Sequence, residues 1–459
     1  MKVMSFTIGV LFALFSLLTA QSTYDAVRIV EWETGFGTRA LAMGGAYTAV
    51  ANDYSGIYFN PAGLASMKTS QFYGELTHLR FNNQATFQGT PTDALERFTS
   101  LGSIGIGMKL PTTRGSFVIG FGYNRVKEFD SILRFRGYNP LSNGLEFELE
   151  DDAGNVDVYP FDQFVEQEER VSDEGGLNQW TIGAGIALSP ALDMGVSVDF
   201  WKGRNNYQLT FVQKDVDNIY TQYPGNFYQY TYKEGIQSDY SATGLKFGLI
   251  MKMGQAIRLG ATLGLPVTFT VSESYYADDE LIFDDGFSDA AELDRGEFKY
   301  KVRTPFYADG GIALQNKFMT LAASVRFRDW TQTRFVIPEG GLSDPDYAYF
   351  SDQNLRFQEE YRATMEYRFG GELRFNQGAT VLRGGYMYLP SPLKGATQQM
   401  GKQVYTAGIG IQLDEYVRLD VTAMRSQWER ESEDELTPGG TLEKITADKF
   451  FVGIVYNFR

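Results

Sequence analysis

Cysteine is absent from the 459 residues, and there is a single histidine, His78. The first absence excludes a disulfide framework, thiol chemistry and a lipidated cysteine. The second excludes a histidine-built metal cluster and a classical Ser-His-Asp triad. With no nucleophile motif beside His78, no catalysis is expected, and no metal or cofactor. Basic residues are also in deficit, 41 Lys+Arg against 57 Asp+Glu for a net charge of −16, which argues against a nucleic-acid partner. Beyond the first 20 positions no run of about 20 apolar residues occurs, so the mature chain has no helical membrane span.

Aromatics make up 15% of the chain and glycines number 49. The mean hydropathy is nevertheless −0.26, so the apolar residues must be dispersed among polar ones. Residues 1–20 are the exception. Lys2, the apolar run VMSFTIGVLFALFSLL and the small end Thr19-Ala20 form the pattern of a secretory signal peptide cut near Gln21.

From about residue 68 the chain has period two. Tyr361, Ala363, Met365, Tyr367, Phe369, Leu373 and Phe375 fall on one face; Arg362, Thr364, Glu366, Arg368, Glu372 and Arg374 fall on the other. Ile257 to Val271 repeats the pattern, with Ile257, Leu259, Ala261, Leu263, Leu265, Val267, Phe269 and Val271 as the expected outer set. Fourteen such segments follow one another between residues 68 and 459. Their connections alternate between short turns (PTTRG, SPA, MGQA, QNKF, FNQG, LDEY) and long polar stretches (82–99, 128–176, 213–237, 274–297, 337–358, 391–400, 432–445).

Sorting of loop length by parity is the mark of an outer-membrane barrel, whose turns lie at one end and whose long loops lie at the other. The expected fold is therefore all-β: a 14-stranded antiparallel transmembrane barrel over residues 67–459, with apolar residues toward lipid and polar ones toward the lumen. Tyr73, Trp180, Trp201, Trp330, Tyr386, Tyr388, Trp428 and Tyr456, near strand ends, are candidates for interfacial girdles.

Residues 21–66 precede the first strand, and a barrel this wide has an open lumen unless something fills it. The segment suits that role. Gly44, Gly45, Gly56 and Gly63 permit tight turns and close approach, and Asn60-Pro61 fixes a turn. Facing it, the early strands carry small residues: Ser103, Gly105 and Gly107, then Gly120 and Gly122, then Gly183 and Gly185. The stretch GFGTRA, Gly35–Ala40, mimics a dinucleotide fingerprint but opens no βαβ unit and is set aside.

The stretch GTRALAMGGAYTAVANDYSGIYFNPAGLA, with its Asn-Pro-Ala turn, resembles the N-terminal hatch of the FadL/TodX-type outer-membrane transporters of hydrophobic compounds. The resemblance implies a bacterial outer-membrane channel, plugged by a hatch over residues 21–66. It would pass fatty acids or aromatic and aliphatic hydrocarbons through a lateral opening in its wall. Asn60, Pro61 and Ala62 would anchor the hatch, with Gly44 and Gly45 at its turns; the opening would lie near the third strand, where Gly120 and Gly122 occur. The partners implied are a hydrophobic small molecule and outer-membrane lipid. A related PorV-like branch assists protein secretion, which leaves a secreted protein partner as the alternative.

Two features come from the residues themselves. Pro266 and Pro305, on the seventh and eighth strands, cannot donate ladder hydrogen bonds, so the wall there is a second candidate for an opening. Continuous alternation places Lys299, Lys301, Arg303, Arg326, Arg328 and Arg362 on the lumen face, as a basic patch for a ligand carboxylate or as a wall network balanced by Asp309 and Glu366.

Overall fold

The computed structural model describes residues 22–337, 346–432 and 434–458; the expected signal peptide lies outside them. The strands in chain order are β1 (Ser70–Phe87), β2 (Thr90–Leu110), β3 (Phe117–Glu128), β4 (Ser131–Asn139), β5 (Glu146–Glu150), β6 (Val156–Pro160), β7 (Val165–Ser189), β8 (Leu192–Lys214), β9 (Phe227–Met253), β10 (Ile257–Gly264), β11 (Thr268–Phe283), β12 (Ser288–Arg303), β13 (Tyr307–Gln315), β14 (Met319–Asp329), β15 (Arg334–Phe335), β16 (Ala363–Phe375), β17 (Thr380–Leu389), β18 (Lys402–Gln412), β19 (Val417–Ser432) and β20 (Thr441–Phe458). Every ladder is antiparallel, and β1 pairs with both β2 and β20, which closes the sheet. Counting β3 with β4, β10 with β11, and β12 with β13 as single interrupted staves gives a barrel of 14. β5 and β6 form a separate hairpin in the long connection before β7.

The outward faces identify the membrane zone. On β8 they run Met194, Val196, Val198 and Phe200, then change to Lys202, Arg204, Asn206 and Gln208. β7 does the same, with Leu188, Ile186, Ala184, Ile182 and Trp180 followed by Asn178 and Glu174. The apolar run covers about nine residues from the short turns, the length a tilted strand needs to cross hydrocarbon. Among the described residues no helix is long and apolar enough to cross a membrane. Above the band β7, β8 and β9 continue to lengths of 25, 23 and 27 residues. Much of what the sequence suggests to be loop at 128–176, 213–237 and 274–297 is therefore strand. Above the lipid the outward face is polar and the inward face mixes polar groups with an apolar cluster that includes Leu209, Phe211, Phe227 and Leu281. Alternation therefore weakens, most on β7, although the ladder continues.

Of the girdle candidates, Trp180 and Tyr456 are exposed on the outer face, with half-buried Tyr386 and Tyr388. Tyr73, Trp201, Trp330 and Trp428 instead point inward, where Tyr73 and Trp330 are buried. His78 faces outward, its Nδ1 2.8 Å from Thr99 Oγ1.

Residues 22–66 lie inside the barrel. They carry three short helices, α1 (Thr23–Arg28), α2 (Thr38–Ala42) and α3 (Gly56–Phe59), and a 3-10 turn at Pro61–Ser66. Their apolar side chains, among them Leu41, Tyr47, Tyr54, Ile57 and Phe59, form one buried core with inward residues of the wall. A fourth helix, α4 (Asp346–Glu360), packs on this core through Phe350 and Phe357.

Candidate functional site: a filled lumen and two breaks in the wall

The hatch comes so close to the wall that only glycine fits, backbone against backbone at Gly185, Gly370 and Gly385 and under a hatch side chain at Gly122 and Gly248. A Cβ on Gly122 would stand 1.7 Å from Tyr54 Oη, on Gly185 2.6 Å from Ala65 N, on Gly248 2.1 Å from Asn60 Oδ1, on Gly370 2.1 Å from Met43 O, and on Gly385 2.1 Å from Gly44 N. These glycines belong to staves all around the circumference, so the plug is gripped on every side. Within the hatch, Gly44 and Gly45 have φ of 59° and 64°, and a Cβ on Gly44 would meet Phe369 O and Tyr386 N at 2.6 Å. Gly120, with Ile57 3.0 Å from its virtual Cβ, and Gly122 are part of this seat. Both are fully paired between β2 and β7, so the wall is closed where they stand.

Asn60 is fully buried at the centre of the contact. Its Nδ2 donates to Thr48 O at 2.7 Å within the hatch, and to Leu249 O at 3.1 Å and Ala261 O at 3.3 Å on β9 and β10. Its Oδ1 accepts from Ala62 N at 3.1 Å, which caps the turn begun by Pro61. One side chain thus satisfies carbonyls of both plug and wall.

A second tie is ionic. Arg39 of α2 donates to Glu372 of β16 through Nε (2.9 Å) and Nη2 (3.3 Å), and to Asn52 (2.6 Å) and Asp53 (3.2 Å) of the hatch. Glu372 also accepts from Arg383 (2.8 Å) and Arg374 (2.6 Å), and Arg383 reaches Asp420 at 2.6 Å. Burial alone would raise the Asp53 carboxyl; Arg39, with the hydroxyls of Ser55 and Tyr47, holds it below the usual carboxylate value.

The upper lumen is filled as well. Arg28 at the end of α1 bridges to Asp173 of β7 at 2.7 Å, and Thr23 donates to Glu360 of α4 at 2.9 Å. Burial raises the Asp25 carboxyl on α1, despite opposition from Ser22 and Arg28. Beside the hatch a pocket of about 30 Å³ remains between Val30, Trp201, Val267, Phe269, Tyr307 and Arg328. That volume holds a water molecule or two and no larger ligand.

Among the described residues, two interruptions of the ladder fall at the places the sequence marks. The β2–β3 ladder ends at Ser103↔Asn124. Above it strand three bulges between Arg125 and Lys127, and β4 pairs only with β7. Residues 90–102 of β2 consequently pair with β1 alone. β4 swings inward instead, where Asn83 donates to Ile132 O at 3.0 Å and Ile132 packs with Leu79 and Phe81. The lower rim of this break is at membrane level, since Leu101 (44% exposed) and Ile104 (42%) face outward there. Its mouth is closed by Glu128, which meets Ser100 at 3.2 Å and Lys449 at 2.6 Å.

The second break falls at Pro266 and Pro305, which interrupt adjacent staves seven and eight. Here the backbone stays bridged, by Leu265 N to Leu245 O at 3.0 Å and Thr304 N to Val267 O at 2.8 Å. Both staves change face across their prolines. Below Pro266 the outward residues are Ile257, Ala261 and Leu263; above it Val267, Phe269 and Val271 are buried and Thr268 and Ser272 are exposed. The expected outer placement of Val267, Phe269 and Val271 is therefore reversed.

The same flip dissolves the expected basic patch. Lys299, Lys301 and Arg303 lie on the outer face, because the interruption at 304–306 shifts the alternation by one residue. Arg362 is also exposed, and its guanidinium donates to Ser391 O. Arg326 and Arg328 do face inward and are already matched. Arg326 forms two bonds to Asp309, at 2.6 and 2.8 Å; Arg328 donates to Val30 O at 2.7 Å and stands 3.7 Å from Glu33.

No protein-family profile matches this chain, and no curated protein does. Solved structures do. A FadL homologue of Pseudomonas aeruginosa superposes with a TM-score of 0.59 at 14% identity, covering 93% of this chain and 99% of that one. The toluene transporter TodX of P. putida gives 0.58 at 16%, over 93% and 99%. The toluene transporter TbuX of Ralstonia pickettii gives 0.51 at 16%, with the same coverage. At these identities the likeness establishes the fold: a 14-stranded barrel with the architecture of outer-membrane transporters of hydrophobic compounds.

Proposed function

We propose that this protein is an outer-membrane channel for the passive uptake of hydrophobic small molecules, whether long-chain fatty acids or aromatic and aliphatic hydrocarbons. One observation carries the reading: the axial path is sealed while the backbone ladder of the wall is interrupted. The hatch is held by Asn60, by Arg39 and by a collar of glycines, whereas β2 loses its neighbour at the level of lipid-facing Leu101 and Ile104. A molecule soluble in hydrocarbon gains nothing from an aqueous axial pore. It leaves sideways, into the bilayer. The toluene transporters and the FadL homologue that share this architecture support the substrate class. We place the exit at strand three rather than at Pro266 and Pro305, because only the former lacks a bridging backbone hydrogen bond.

The absence of cysteine makes the test clean. Ser100→Cys with Glu128→Cys joins side chains already in contact across the mouth. Oxidation is expected to abolish uptake of a hydrophobic probe by cells expressing the protein, and reductant to restore it. Unchanged uptake in the oxidised protein removes strand three as the exit. Failure of the purified wild type to bind any hydrophobic probe, together with a co-purifying secreted protein, replaces uptake with a secretion-accessory role.

A further inference from the structure

Lys301 and Arg303 on β12 and Arg334 on β15 are exposed on the outer wall, with Lys299 two residues further up the same face. Arg303 and Arg334 are direct partners in the short β12–β15 ladder. Like charges directly opposite each other on one face of a sheet repel. None of the four forms an ion pair among the described residues, in a chain with 57 acidic residues. Several other exposed wall arginines stand beside carboxylates, as in Arg134–Glu168 at 2.8 Å, Arg204–Asp239 at 2.9 Å and Arg425–Asp448 at 2.7 Å. Arg80 and Arg97, opposite each other on β1 and β2, share the unpaired arrangement but do not border the cleft beside Pro266 and Pro305. The cross-strand neighbours of Lys299, Lys301 and Arg303 on β11 are Ser272, Thr270 and Thr268, which are hydroxyl donors rather than acids. This surface is arranged for an anion.

Its position says which kind. Lys301, Arg303 and Arg334 border a cleft of about 1170 Å³ that is also lined by Pro266, Pro305, Val336 and Ile337. Directly below, the outward surface turns apolar, with Leu263 and Leu265 exposed and the rings of Phe306 and Phe327 in contact at 6.2 Å. Cations over hydrocarbon at the upper edge of the lipid band match an amphiphile with an anionic head and apolar chains.

We propose that this cleft binds the phosphate headgroup of an anionic membrane lipid. Lys301, Arg303 and Arg334 hold the phosphate oxygens, and the acyl chains descend over Leu263, Leu265 and Phe306. The assignment rests on the membrane-barrel fold and not on transport. The face change at Pro305 is what delivers Lys301 and Arg303 to the lipid; with unbroken alternation they would point into the lumen.

The test is native mass spectrometry of the full protein, released from nanodiscs containing equal amounts of phosphatidylglycerol and phosphatidylcholine. The wild type is expected to retain phosphatidylglycerol preferentially. Lys301→Gln with Arg303→Gln and Arg334→Gln should cut that preference on the order of a hundredfold, from three charges at roughly a factor of five each. Arg134→Gln with Arg204→Gln, on paired wall positions, should not change it. A stability measurement guards against misfolding: in zwitterionic detergent Arg334→Gln should melt no lower than wild type, since it relieves a repulsion, yet lose the rise in Tm that phosphatidylglycerol gives the wild type. Equal retention of both lipids by the wild type overturns the proposal, as does a triple variant that keeps the preference. Saturation by inorganic phosphate without lipid selectivity also overturns it, in favour of a free-anion site. Hydrophobic-probe uptake, measured alongside, reports on the transport reading separately.

Discussion

Replacing Arg39 by Met should loosen the hatch while leaving the barrel intact. The side chain is nine-tenths buried and makes two bonds to Glu372 and one each to Asn52 and Asp53. Breaking a buried ion pair by removing one partner costs about 3–5 kcal/mol, mostly because the other charge is left uncompensated. Here neither acid is stranded. Glu372 keeps Arg383 at 2.8 Å and Arg374 at 2.6 Å, and Asp53 keeps the hydroxyls of Tyr47 and Ser55, both at 2.6 Å. Met also retains much of the arginine's volume. The loss therefore belongs at the lower end, about 3 kcal/mol, which multiplies the population of the unseated hatch by roughly a hundred. Hydrogen exchange reads this directly. The amides of Leu41, bonded to Gly37 O, and Ala51, bonded to Tyr47 O, both at 2.9 Å, should exchange about a hundredfold faster. Ladder amides of β8 and β9 should not change. Arg425→Met, which removes an exposed pair with Asp448, is the control and should alter neither set. Hatch amides unchanged in Arg39→Met would refute the ionic tie; hatch and ladder amides accelerated alike would show that the hatch does not release separately from the wall.

Arg326→Gln with Arg328→Gln should lower Tm and reduce uptake of a long-chain acid and a neutral hydrocarbon together, because both arginines are committed to Asp309, Val30 O and Glu33; selective loss of the acid would restore them as ligand-binding groups. For Asp25, burial places the folded carboxyl above its ordinary 3.8. The seat of α1 is therefore strongest below that value and weakens as pH rises through the raised one. Asp25→Asn should hold α1 tightly at neutral pH, seen as slowed exchange of the Ala26 amide and loss of its pH dependence after correction for the intrinsic rate; identical profiles in variant and wild type would refute the assignment.

The parts of this molecule that could be read from sequence are those where one periodicity has one physical cause. Between the short turns and the upper edge of the lipid, each stave meets hydrocarbon on one side and a polar lumen on the other, so Met365, Tyr367 and Phe369 alternate with Thr364, Glu366 and Arg368 and the strand is visible. Higher up, β7 carries Arg170, Ser172 and Glu174 outward while Glu169 and Asp173 are buried inward. Polar faces on both sides carry no period, and so this strand looks like loop. The face changes at Pro266 and Pro305 were hidden for another reason. Alternation is the same whichever set faces out, and Val267, Phe269 and Val271 continue an apolar series that began with Ile257. Only the prolines marked the place where the series changed sides. Small residues on consecutive staves, from Gly105 to Gly185, did signal the hatch, because a strand loses packing by carrying glycine unless another backbone comes close.

Those glycines also constrain how the protein can work. A hatch held by side chains alone could slide along the wall as its rotamers change. This one meets Gly185, Gly370 and Gly385 backbone against backbone, at distances where no Cβ would fit, so a sideways shift of even one methyl group brings backbone against the neighbouring side chains. Axial opening would have to break those contacts together with the Asn60 and Arg39 ties. The rim of the mouth at strand three is held by side chains, chiefly Glu128 with Ser100 and Lys449, which can turn about single bonds. Behind it lies β4, held to β1 by Asn83 and the packing of Ile132. Of the two ways out, the lateral one requires far less of the fold to move. Under the uptake role proposed above, a hydrophobic solute should for that reason cross this barrel through its wall while the hatch stays in place.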